Sequence, residues 1–169
     1  MLFRSARARV NGREISSATD AAGYLRVERQ WTRGDTMELD FPLAAQMVEA
    51  HPWIESARGC VTIERGPVVY CIEQTDQPDV AVADVEIDAG AALEPTWTAD
   101  RLGGVSLIRA SGWAVDTTAW KDRLYRPVGS TSAPRRRVEL TAIPYYAWAN
   151  RDPGAMRVWI PRGPTASTR

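Results

Sequence analysis

Gly59-Cys60-Val61-Thr62-Ile63-Glu64-Arg65-Gly66-Pro67-Val68-Val69-Tyr70-Cys71-Ile72-Glu73 decides the fold. Two runs of β-branched and aromatic residues flank an Arg-Gly-Pro turn signal. Each is too short for a helix, so they read as two strands joined by a tight turn. The same reading extends in both directions. Val10-Asn11-Gly12-Arg13 carries an Asn-Gly pair, which readily takes the positive φ angles of a type I′ hairpin turn. Residues 24–31 place Leu25 and Val27 on one face and Arg26 and Glu28 on the other. Residues 37–41 alternate again and stop at Pro42, so 24–31 and 37–41 are expected to pair as a hairpin. Residues 43–50 suit one helical turn or a covering strand. Further strands are expected at 85–88, 105–110, 138–143 and 156–160, with polar loops at 74–83 and 116–125.

No stretch has a long amphipathic helix pattern. Many short strands with frequent turns predict an all-β fold, an antiparallel β-sandwich. His51-Pro52 suggests a boundary, because a residue before proline avoids the α region. The expected organisation is a partial first sandwich domain over 1–50, with its opening strands missing. A complete C-terminal sandwich over 51–161 and a disordered tail over 162–169 follow.

Composition excludes several function classes. Basic and acidic residues number 21 each and cancel, so no global field attracts nucleic acid or an anionic membrane. No apolar run is long enough for a membrane span or a secretory signal, which points to a cytoplasmic protein. One histidine and two cysteines offer little to a transition metal.

Several clusters invite a functional reading. Tyr145-Tyr146-Ala147-Trp148-Ala149-Asn150-Arg151 concentrates rings beside amide and guanidinium donors. Tyr146, Trp148, Asn150 and Arg151 are the candidate carbohydrate-binding residues: rings stack on a sugar and donors meet its hydroxyls. On a strand, Tyr146 and Trp148 would share one face and Tyr145 and Ala147 the other, and packing in a core or domain interface is the competing reading. Asp84, Glu86 and Asp88 line one side of a strand, which suits an exposed acidic face better than a calcium site. Arg135-Arg136-Arg137 reads as a solvated loop. With Arg65-Gly66 as a two-residue loop, Cys60 and Cys71 would lie opposite each other, within disulfide reach, and two buried free thiols are the other reading.

The chain resembles the C-terminal part of glycoside hydrolase family 127, the β-L-arabinofuranosidase family. The resemblance rests on Val10-Asn11-Gly12, Gly23-Tyr24 leading to Trp31, Gly34-Asp35 leading to Leu39 and Pro42, and Arg65-Gly66-Pro67-Val68-Val69-Tyr70-Cys71. It continues through Leu102-Gly103-Gly104-Val105 and Ile143-Pro144-Tyr145-Tyr146-Ala147-Trp148-Ala149-Asn150-Arg151. It implies an (α/α)6-barrel catalytic domain ahead of two β-sandwich domains, with the catalytic cysteine, the glutamate acid/base and the zinc ligands all in that barrel. No catalytic or metal position transfers to these residues, and no cofactor is expected here. The implied role is non-catalytic: structural support for a barrel that is absent or separately encoded. Carbohydrate binding by the 145–151 stretch is the alternative. The expected partners are a separately encoded barrel and a second copy, pairing through the N-terminal strands.

Overall fold

The computed structural model describes residues 6–121, 123–129 and 133–165. The chain divides into two compact units, Met1–Ala44 and Ala45–Arg169. The division precedes the expected boundary at 50/51. Its cause is that residues 45–49 form a strand paired with Cys60–Arg65 of the second unit, the covering strand of the two expected alternatives.

In the first unit, β1 (Arg7–Val10), β2 (Arg13–Ile15) and β3 (Met37–Asp40) form an antiparallel sheet in the order β2-β1-β3. Asn11 at φ 50° and Gly12 at φ 74° make the positive-φ turn that Asn-Gly predicts. The hairpin between 24–31 and 37–41 does not form. Within 24–31 only Leu25 makes a bridge, to Thr19, and β3 pairs instead with β1, Val10 opposite Met37 and Ala8 opposite Leu39. A side-chain clasp selects that partner. Asn11 Nδ2 donates to Asp35 Oδ1 at 2.7 Å, and Thr36 N donates back to Asn11 Oδ1 at 2.9 Å. Arg29 lies 3.3 Å from the other Asp35 oxygen.

The second unit contains β4 (Ala45–Glu49), β5 (Cys60–Arg65), β6 (Val68–Glu73), β7 (Val85–Asp88), β8 (Glu94–Thr98) and β9 (Val105–Val115). It ends with β10 (Arg135–Pro144), β11 (Met156–Arg157) and β12 (Ile160–Gly163). The ladders run β6-β10-β9-β7-β12-β5, and β5 pairs back to β6, so the sheet closes on itself. β4, β8 and β11 flank β5, β9 and β6. All pairs are antiparallel except β7 with β12. The all-β, mainly antiparallel expectation holds. Ile63, Ile72, Ile87, Ile108, Leu140 and Ile160 fill the centre of the closed sheet. Each such side chain contributes about 1.5–3 kcal/mol by leaving water.

The β5–β6 turn is Gly66-Pro67, with Arg65 opposite Val68. Gly66 at φ 60° fits the first central position of a type II′ turn. Taking Pro67 into the turn moves the register away from the one that opposes Cys60 and Cys71. Cys71 faces Ile143 of β10 instead, and both thiols are free.

Three further expectations are corrected. The tail expected from residue 162 begins later, because Arg162 and Gly163 extend β12 beside Ile87 and Asp88; residues 166–169 lie outside the described residues. Arg135-Arg136-Arg137 opens β10 rather than a loop. The acidic row of β7 is not a solvated face either: Arg135 Nε and Nη2 reach the Glu86 carboxylate at 2.7 and 3.1 Å. Arg137 Nη1 lies 2.9 Å from the buried carboxylate of Asp88. The basic run and the acidic row therefore neutralise one another, and Glu86 holds the Arg135 pKa above its ordinary value.

One buried side chain completes a ladder. Gln77 donates its amide to the Thr141 carbonyl at 2.7 Å and accepts from Thr141 N at 3.3 Å. It continues, from a loop, the pairing that β6 makes with residues 142–144 of β10.

Candidate functional site

The aromatic stretch is not a strand. Pro144 ends β10, and Tyr145–Ala147 form one 3-10 turn closed by Trp148 N donating to the Tyr145 carbonyl at 3.1 Å. Residues three apart lie on one side of such a turn. Tyr145 and Trp148 therefore stack, with ring centroids 5.9 Å apart and planes 12° apart. This corrects the expected pairing of Tyr146 with Trp148. Tyr146 points away and is 70% exposed.

A charged cluster beneath the turn fixes it. Glu73, the last residue of β6, and Asp76, in the 3-10 turn Gln74–Asp76, are buried with their carboxylates close together. Arg151 Nη1 and Nη2 take the two Asp76 oxygens at 2.7 and 2.5 Å, and Nη2 also reaches Glu73 Oε2. Arg101 approaches Asp76 at 3.2 Å from the exposed side. The remaining Glu73 oxygen accepts from Ala149 N at 3.0 Å, and Ala149 takes φ 61°. A non-glycine residue holds that conformation only when its surroundings impose it, and here the carboxylate does. The Asp76 hydrogen bonds raise the Arg151 pKa above its ordinary value, with Glu73 adding to the effect.

Asn150 also turns inward. Its Nδ2 donates to the carbonyls of Ala147 and Trp148 at 3.1 and 3.2 Å. Of the four candidate sugar-binding residues, Tyr146 and Trp148 present rings to the surface, while Asn150 and Arg151 hold the turn together. Sequence reasoning missed Glu73 and Asp76. The only signal for Glu73 is a charge at the end of an apolar strand.

Cys71 lies near this cluster. Burial, reinforced by Glu73 and Asp76, pushes its thiol up to about 12, the opposite of what a nucleophile requires. Among the described residues no group of three or more His, Cys, Asp or Glu side chains converges as metal ligands. Nor, among them, is any helix long and apolar enough to cross a membrane.

Comparison with known proteins gives the same picture from end to end. Residues 45–161 match the C-terminal domain of glycoside hydrolase family 127, and residues 3–43 match the middle domain of the GH127 β-L-arabinofuranosidases. A non-reducing end β-L-arabinofuranosidase of Bifidobacterium longum subsp. longum is 36% identical over 159 residues, covering 89% of this chain and 23% of that enzyme. The crystal structure of a GH127 β-L-arabinofuranosidase from Geobacillus stearothermophilus T6 superposes with a TM-score of 0.79 at 36% identity, covering 95% of this chain and 25% of that one. Another GH127 β-arabinofuranosidase structure gives 0.75 at 34% identity, with 94% and 23% covered. The chain thus spans about a quarter of the length of these relatives, and it belongs to glycoside hydrolase family 127, matching its middle and C-terminal domains.

Proposed function

We propose that this chain is the supporting β portion of a β-L-arabinofuranosidase-type glycoside hydrolase whose chemistry is carried by a separate catalytic polypeptide. The observation behind the reading is the extent of the match. It runs over nearly the whole chain, yet only 23% of the curated relative. The chemistry of the chain agrees: the buried acids Glu73 and Asp76 are bound by Arg151, and the Cys71 thiol is held neutral. A retaining glycosidase instead needs an acid and a nucleophile, free to act, on either side of a glycosidic bond. The pure chain is expected to leave aryl β-L-arabinofuranosides intact, and measurable turnover by it overturns the proposal.

A carbohydrate-binding role is the second reading, favoured by the exposed ring of Tyr146 and the half-exposed stack of Tyr145 on Trp148. Calorimetric titration with arabinose oligosaccharides tests it, and heat that persists unchanged in Trp148→Ala rejects the site. The free thiols support a reducing, cytoplasmic setting. Fractionation of the source cells decides that point, and recovery outside the cytoplasm rejects it.

A further inference from the structure

The register of the ladders brings one end of the closed sheet together. Arg65 ends β5, and Val68 opposite it begins β6. Pro144, at the end of β10, lies opposite Tyr70. Ala142 pairs with Ile108, so the start of β9 is beside the end of β10, and there Ser106 pairs with Trp97 of β8. Arg65 spans this end, with Nη1 3.4 Å from Ser106 Oγ. Its Nε is buried without an acceptor among the described residues. The hydroxyl of Tyr70 lies near both Arg65 and Tyr146, and burial raises its pKa first of all.

Two large rings stand on the rim. Tyr146 is 70% exposed and Trp97 is 65% exposed. Neither is loosely attached. Tyr146 sits on the turn fixed by Glu73 and Arg151. Trp97 lies on the backbone of Gly104, where an added Cβ would come within 2.9 Å of the ring. Rigid, exposed Trp and Tyr beside an Arg are the composition of a protein interface, where such residues supply most of the binding energy.

We propose that this end of the closed sheet, with Trp97 and Tyr146 as anchors around Arg65, docks the catalytic polypeptide. The choice of occupant rests on the supporting-portion reading above. It also rests on the superposed relatives, in which the matched fold is a quarter of one continuous chain and the rest of that chain is the available covering mass.

The probe is the Bifidobacterium longum relative without its matched segment, expressed separately and first shown to bind that segment when it is returned. The full chain is expected to bind this probe, and Trp97→Ala with Tyr146→Ala to weaken the Kd about tenfold or more. Trp53→Ala is expected to bind normally. That exposed ring lies beyond β4 and before Cys60, at the other end of β5. Hydroxyl-radical footprinting of the unaltered chain needs no variant: Trp97 and Tyr146 become protected in the complex while Trp53 does not. Equal binding by the double variant, or unprotected rings in a complex that forms, overturns the surface and leaves the supporting role intact. Protection that appears with the chain alone as its concentration rises makes the surface a self-interface and also overturns the proposal. No binding to a probe that accepts its own segment overturns the supporting role itself.

Discussion

Arg151 grips Asp76 with both terminal nitrogens, at 2.7 and 2.5 Å, across 75 residues of sequence. The same guanidinium reaches Glu73, so one cation answers two buried carboxylates. Removing one partner of such a group leaves uncompensated charge in a poorly solvated place.

Arg151→Ala is therefore expected to destabilise the second unit by about 3 kcal/mol. Arg151→Lys falls between, because an ammonium cannot reproduce the two-pronged contact. Urea unfolding followed by tryptophan fluorescence measures both, and an unchanged midpoint for Arg151→Ala would show that the cluster is not structural.

In the first unit, Asp35 should show its environment in its titration. The hydrogen bond from Asn11 comes first, then those from Thr32 and the charge of Arg29, and together they hold its carboxyl below the ordinary 3.8. The depressed folded pKa means that the contribution of Asp35 is fully present above 3.8 and fades as pH falls through the folded value. Carboxyl chemical shifts are expected to move the midpoint back towards 3.8 in Asn11→Ala.

Cys71 behaves in the alkaline range with the opposite sign. Its folded thiol ionises only near 12, against 9.0 ordinarily. Above pH 9 the unfolded thiol loses its proton while the folded one keeps it, so unfolding gains and stability falls. Cys71→Ala should flatten that decline. A thiol reagent at neutral pH should modify the partly exposed Cys60 first and Cys71 only on unfolding, and reduction should leave the mass unchanged.

Gly112 packs under its neighbours, and an added Cβ would meet the Glu86 carbonyl at 2.5 Å and Leu140 Cδ1 at 2.8 Å. The first contact is backbone and cannot swing aside. Gly112→Ala is expected to cost about 1–3 kcal/mol, read as a lowered Tm. A Tm equal to that of the parent chain would refute the close approach.

Strands rich in β-branched residues, such as Cys60–Arg65 and Val68–Glu73, were legible because local propensity and burial agree there. The register between them was harder, since Pro67 belongs to the turn and shifts every opposing pair. Residues 24–31 alternate as a strand should, but alternation says which face is apolar and not which ladder will form. At the candidate site the rings were visible and their geometry was not, because Pro144 turns a strand pattern into a 3-10 turn. Glu73 and Arg151 lie 78 residues apart, and nothing local to either announces the other.

Gln77 acts as a strand one residue long. By giving and taking one hydrogen bond with Thr141, it occupies ladder positions on β10 that β6 does not reach. A backbone edge left open there would invite a strand from another molecule. A single side-chain amide therefore serves as an anti-aggregation plug. Replacing it with an isosteric apolar group would show its effect first in solubility on standing, before any change in what the chain binds.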